Sequence, residues 1–168
     1  MAALHWLLLP LRRYAQFSGR SRRQEFWPFT IVTGVASIGC DTIDEIFGLQ
    51  HGFPALALGA PGMLGSAFTV VTLLPGVALA VRRLHDIDRA GWWLAPPMAI
   101  IIGGMIVLDS IFGIHDHPNG QEMLALTAML AVLASMALLF VVFCLEGTAG
   151  PNRFGDDPKR AGHDGVFD

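Results

Sequence analysis

Charge is scarce in this chain: only 15% of its 168 residues are Asp, Glu, Lys or Arg, while 53% are hydrophobic. A water-soluble domain of this size cannot bury that much apolar surface, so lipid has to serve as solvent for much of it. Cysteine is scarcer still, with Cys40 and Cys144 alone. They are expected near opposite ends of two apolar stretches, separated in depth by something approaching the roughly 30 Å of a hydrocarbon core. A disulfide needs Cα atoms within about 7 Å, which excludes a bridge between them. Both read as small apolar packing residues, with a bridge from Cys40 to another chain as the minority alternative.

The most informative absence is local. Four long apolar stretches, at about 26–46, 63–81, 92–113 and 123–145, alternate with polar segments, and two of the connections contain neither Lys nor Arg. The basic residues fall into three groups: Arg12, Arg13, Arg20, Arg22 and Arg23 before the first stretch; Arg82, Arg83 and Arg89 between the second and third; Arg153, Lys159 and Arg160 after the fourth. Cytoplasmic loops attract Lys and Arg and translocated short loops lose them, so four spans with both termini in the cytoplasm are predicted. The net charge of −3 hides this polarity. Asp41, Asp44, Glu45, Asp109, Asp116 and Glu122 have no cation beside them on the outer side, and Asp41 and Asp44 are expected to reach water there.

Other signals are missing too. Met1–Leu11 has no basic leader and no small-residue cleavage site, which argues against a signal peptide. Leu4, Leu7, Leu8 and Leu11 recur at helical spacing, so this segment is expected to form an amphipathic helix lying in the membrane interface. The fold class is therefore all-α, a four-transmembrane-helix bundle preceded by that interfacial helix. Residues 1–158 make one domain and 159–168 a flexible polar tail. Pro28 is placed in the first turn of span one, where its missing N–H costs nothing. Pro75 should kink span two and free a carbonyl for a neighbour to satisfy. Gly103 and Gly104 offer span three a flat surface for close helix approach.

Three polar segments remain: Gly19-Arg20-Ser21-Arg22-Arg23-Gln24-Glu25-Phe26-Trp27, Arg82-Arg83-Leu84-His85-Asp86-Ile87-Asp88-Arg89-Ala90-Gly91-Trp92-Trp93, and Gly150-Pro151-Asn152-Arg153-Phe154-Gly155-Asp156-Asp157-Pro158. Four antiparallel spans bring all three to one surface. These segments, at these positions, resemble the DUF805 family of small bacterial inner-membrane proteins, from about Phe17 to Pro158. Ala90 stands where that family usually has Ser, and Asp156 where it usually has Pro. The resemblance implies a multi-pass protein of the bacterial inner (plasma) membrane and supplies no reaction.

In that cluster Glu25 and Asp86 are the expected counter-ions of a structural ion-pair network. Arg20, Arg23, Arg82, Arg83, His85 and Arg153 are the expected ligands for an anionic group such as a lipid phosphate, which Arg binds in bidentate fashion. Trp27, Trp92 and Trp93 are expected as interface anchors. His85 is expected to donate from its ring to Asp86 or a backbone carbonyl. The His85-Asp86 pair lacks the further ligands a metal centre needs, and His115-Asp116-His117 reads as a solvated turn, so neither metal nor cofactor is expected. Nucleic acid is not expected either, because the basic residues are few and mixed with acids. The partners expected are membrane lipids, anionic phospholipid first, and a second copy or another membrane protein. The function expected is a structural or anionic-lipid-binding module. A small transporter or channel subunit is the alternative, and a lipid-modifying enzyme the third. A transporter needs a polar path, and Thr30, Thr33, Ser37, Ser66, Thr69, Thr72 and Ser135 can each be satisfied by their own helix.

Overall fold

The computed structural model describes residues 8–49, 62–112 and 121–158. Four long helices run α1 (Arg23–Phe47), α2 (Met63–Asp86), α3 (Ala95–Phe112) and α4 (Gln121–Cys144), with a short 3-10 turn, Gly91–Leu94, leading into α3. Each is long and apolar enough to cross a membrane, the third span counting from the 3-10 turn. Among the described residues the only pairing of β type is an isolated bridge between Asn152 and Gly155. Large side chains such as Ile31, Val35, Ile38, Leu124, Leu138 and Phe140 lie exposed on the helices, as lipid-facing residues do.

Two helix bounds differ from expectation. α1 begins at Arg23, so Pro28 is its sixth residue and lies beyond the first turn. The missing N–H therefore deprives the Gln24 carbonyl of its helical donor, and Gln24 is exposed at the helix end. α2 runs to Asp86, five residues past its expected end at Val81, because ion pairs described below neutralise the charges in its last turn. Pro96 and Pro97 fall in the first turn of α3, where a missing N–H costs nothing.

α1 packs along α2 and α3 along α4, giving two antiparallel hairpins. Gly104 sets the second contact, since a Cβ there would come within 2.4 Å of Val132 Cγ2. Gly103, expected to share the role, has open space around it. The hairpins meet at the end of the bundle that carries the arginines. Phe26, Phe29, Leu79, Ala80, Leu84 and Phe143 form the buried core there, with Trp27 and Leu139 against it. The Phe26 ring lies tilted 4.5 Å from Phe143, and Trp27 lies edge-on 5.3 Å from Phe140.

Two polar groups inside the spans are handled by specific partners. Pro75 leaves the Val71 carbonyl without its helical donor, and the Tyr14 hydroxyl donates to it at 2.7 Å. The freed carbonyl is thus satisfied from the N-terminal segment. Asp44, expected at water, is buried instead: its Oδ1 accepts from Leu64 N at 3.1 Å and its Oδ2 from Gly65 N at 2.8 Å. The physical reason is that α2 starts after Gly62, which has no side chain to cap it, and its first-turn N–H groups need an acceptor. A Cβ on Gly62 would clash with the Asp44 carboxylate. Asp41, one turn away, is half-buried and its Oδ1 has no hydrogen-bond partner.

The amphipathic helix expected over Met1–Leu11 falls largely outside the described residues; of it, residues 8–11 are helical, and that turn continues to 12. Tyr14 meets α2 at Val71 and Ser21 meets it at Arg82, so the chain between them runs along that helix toward the basic end. His115, Asp116 and His117 and the tail from 159 to 168 lie outside the described residues.

Candidate functional site

Arg82 and Arg83 point about 100° apart on their helix and take different partners. Arg82 turns to α1, where its Nη1 donates to Glu25 Oε1 at 2.8 Å. Glu25 Oε2 also accepts from the Ser21 hydroxyl at 2.9 Å, and Ser21 N donates to the Arg82 carbonyl at 3.1 Å. Both side chains of the Arg82–Glu25 pair are buried, and Arg82 Nε and Nη2 have no partner. Arg83 turns to the other hairpin. It shares a face with Asp86, three residues on, and its Nη1 donates to Asp86 Oδ2 at 2.5 Å.

Asp86 is the hub. Arg20 Nε donates to its Oδ1 at 3.0 Å, so two buried guanidinium groups hold one buried carboxylate. Its backbone carbonyl accepts from Thr148 N at 2.8 Å and Thr148 Oγ1 at 3.2 Å. Gly147 lets the chain pass this close, because a Cβ there would lie 2.1 Å from Asp86 Oδ2. Arg20 completes the tie by donating to the carbonyls of Thr148 at 2.6 Å and Gly150 at 2.7 Å.

Arginines also close the end of α4. A helix leaves its last four carbonyls without internal donors, and its negative dipole end favours cations. Arg83 Nε donates to Phe143 O at 3.2 Å, Arg83 Nη2 to Leu145 O, and Arg23 Nη1 to Cys144 O at 3.2 Å. Arg23 is itself half-exposed and pairs with Glu146 at 3.2 Å.

The segment after α4 folds back over the end of α2. Asn152 Nδ2 donates to the His85 carbonyl at 2.9 Å, and Phe154 stacks on the His85 ring at 3.9 Å, within 4° of parallel. His85 Nδ1 lies 3.1 Å from the Gly19 carbonyl, which only accepts, so Nδ1 carries the proton. The ring thus takes the carbonyl option among its expected partners. Arg153 lies outside the buried network: it pairs with Asp88 at 3.1 Å on the surface and lies 4.7 Å over Phe154. Of the tryptophans, Trp27 packs into the core, while Trp92 and Trp93 are exposed, with Arg89 5.2 Å over the Trp93 ring.

The three polar segments meet at this end, where Glu25 pairs with Arg82 and Asp86 with Arg20 and Arg83. Sequence reading missed Ser21, Gly147, Thr148 and the side chain of Asn152. Ser21 and Asn152 lie in two of the polar segments singled out above, but those segments do not say what their side chains dock on. Among the described residues no group of His, Cys, Asp and Glu is placed to hold a metal.

The family model described as "Protein of unknown function (DUF805)" matches residues 14–156 of this chain. The chain belongs to the DUF805 family. The inner membrane protein YhaI of Escherichia coli (strain K12) is 33% identical over 156 residues, which is 93% of this chain and 97% of YhaI. The inner membrane protein YhaH of the same strain is 30% identical over 156 residues, 93% of this chain and 98% of YhaH. No solved structure matches. The matched stretch of this DUF805 chain starts at Tyr14, which satisfies the Val71 carbonyl, and runs past the Asn152–Gly155 turn, so it takes in the whole network.

Beside the hub a cavity of about 260 Å³ opens between the start of α1 and the segment after α4. Arg20, Arg22, Arg23 and Arg83 line it, together with Asp86, Glu146 and Asp157.

Proposed function

We propose that this chain is an integral inner-membrane protein with both termini in the cytoplasm, whose basic end is a structural lock that also faces anionic phospholipid. The lock holds the inner ends of the four spans in fixed register. The single observation that carries this reading is Asp86, a buried carboxylate gripped by Arg20 from before α1 and Arg83 within α2, while its carbonyl holds Thr148 from after α4. Three distant parts of the chain meet at one residue. Arg20, Arg82 and Arg83 are used internally, Arg89 lies over the Trp93 ring and Arg153 pairs with Asp88, so the headgroup contacts fall to Arg22 and Arg23. Each cation near an anionic leaflet is attracted by about 1 kcal/mol. The inner-membrane naming of YhaI and YhaH and the one-sided distribution of Lys and Arg support the placement.

The test is cysteine labelling in intact cells, in a background with Cys40 and Cys144 changed to Ser. Arg89→Cys and Asp156→Cys are expected to react with an impermeant thiol reagent only after the inner membrane is opened. Reaction of either from outside would overturn the orientation and the headgroup reading with it.

A further inference from the structure

We infer that the cavity beside Asp86 is a binding site for a phosphate group, with Arg22 as its specific contact. This deepens the headgroup reading above by naming the site, and it rests on that reading only for the lipid as source.

The charge bookkeeping of the walls favours an anion. Four guanidinium groups line the cavity against three carboxylates. Each carboxylate is already engaged: Asp86 by Arg20 and Arg83, Glu146 by Arg23, and Asp157 by the Gly150 N–H at 3.1 Å. Arg22 is the cation left over, because its guanidinium makes no hydrogen bond or ion pair with any described residue. Arg83 has five N–H groups and three acceptors, so its buried fork keeps donors to spare on this wall.

The backbone adds to the side chains. Arg22 occupies the residue before α1, the position where Ser, Thr, Asp or Asn would normally accept from the first turn, and an arginine side chain cannot accept. No side-chain hydrogen bond caps this helix start. Glu25 N and Phe26 N donate to the Arg22 carbonyl, which leaves the Arg23 and Gln24 N–H groups and the dipole end available to an anion, beside Arg22 on the cavity wall. The size discriminates among anions. About 260 Å³ lies just below the range of roughly 300–1,000 Å³ typical of pockets for whole drug-sized ligands, which suits a phosphate with a short substituent. The position suits a headgroup as well, since the cavity lies at the end of two spans and Arg23 on its rim is half-exposed.

The source of the phosphate is either a phospholipid or a soluble anion, and one experiment separates them. Full-length protein in a neutral detergent is titrated with phosphatidylglycerol under native mass spectrometry, and separately with inorganic phosphate under calorimetry. Wild-type protein is expected to bind one of the two, and Arg22→Gln to weaken that binding about tenfold, as loss of one charge-assisted contact requires. Arg89→Gln removes the same charge from the same end without touching the cavity, and is expected to leave binding within about twofold. Loss of lipid binding in Arg22→Gln assigns the site to a headgroup, and loss of inorganic phosphate binding assigns it to a soluble anion. Equal loss in Arg22→Gln and Arg89→Gln, or no binding of either probe by wild-type protein, overturns the site. Because Arg22 pairs with no described residue, its change leaves the lock intact, which an unchanged melting temperature checks. Failure here with correct cysteine labelling sinks the cavity alone and leaves the membrane orientation standing.

Discussion

The two ends of this bundle are held by different means. At the basic end two hairpins and the segment after α4 are tied through Asp86 and Glu25, over a core of Phe26, Phe29, Leu79 and Phe143. At the other end, among the described residues, the Asp44 carboxylate joins α1 to the start of α2, beside a backbone bond from Met63 N to the Leu49 carbonyl. There an apolar cleft of about 380 Å³ lies open between α3 and α4, lined by Leu108, Ile111, Leu126 and Met129 among others. Both ends solve the same problem, which is that helix termini leave backbone groups unpaired where water is scarce. Arginines can solve it for several carbonyls at once and reach across the bundle in doing so. A carboxylate caps one helix start and reaches no further.

The contrast can be broken from the top. Asp86→Ala leaves Arg20 and Arg83 buried without a counter-charge and is expected to cost about 3 to 5 kcal/mol in detergent unfolding. A loss below 1 kcal/mol on that scale would mean that water already screens the pair. Asp44→Ala, at the weaker end, is expected to cost about 1 to 2 kcal/mol, as removal of a helix cap does. Its signature is faster amide exchange confined to the first turn of α2, and exchange spread to the basic end would contradict the separation of the two ends. Tyr14→Phe strands the Val71 carbonyl and is expected to cost about 1 kcal/mol. No change would show that the kink at Pro75 finds another donor. Arg153→Gln breaks only the exposed pair with Asp88 and is expected to change stability by less than about 0.5 kcal/mol.

Much of the frame was legible in the sequence because its cause is compositional. Apolar length gives four spans, and the confinement of Lys and Arg gives their convergence. Pro75 announced a free carbonyl by chemistry alone. The register of the network was less accessible. Spacing on one helix puts Asp86 within reach of both Arg82 and Arg83, and which of them it holds, like the pairing of Arg82 with Glu25, depends on how α1 is rotated against α2. Asp44 was misplaced because hydropathy marks where a span ends and is silent on which way a carboxylate there points. The end of α2 was set too early for a related reason: a charged residue stops a hydropathy window, whereas a neutralised one does not stop a helix. Thr148 and Gly147 carry no motif, and their role exists only because Asp86 is opposite them.

The lock at the basic end is tested most directly by a double-mutant cycle between Arg20 and Asp86, read from unfolding in detergent. Arg20→Ala and Asp86→Ala are each expected to destabilise strongly, and the double variant to cost less than their sum by at least about 1 kcal/mol, since each single change strands the other's charge. Additive losses would show that the two residues do not act on each other, and the lock around Asp86 would not exist.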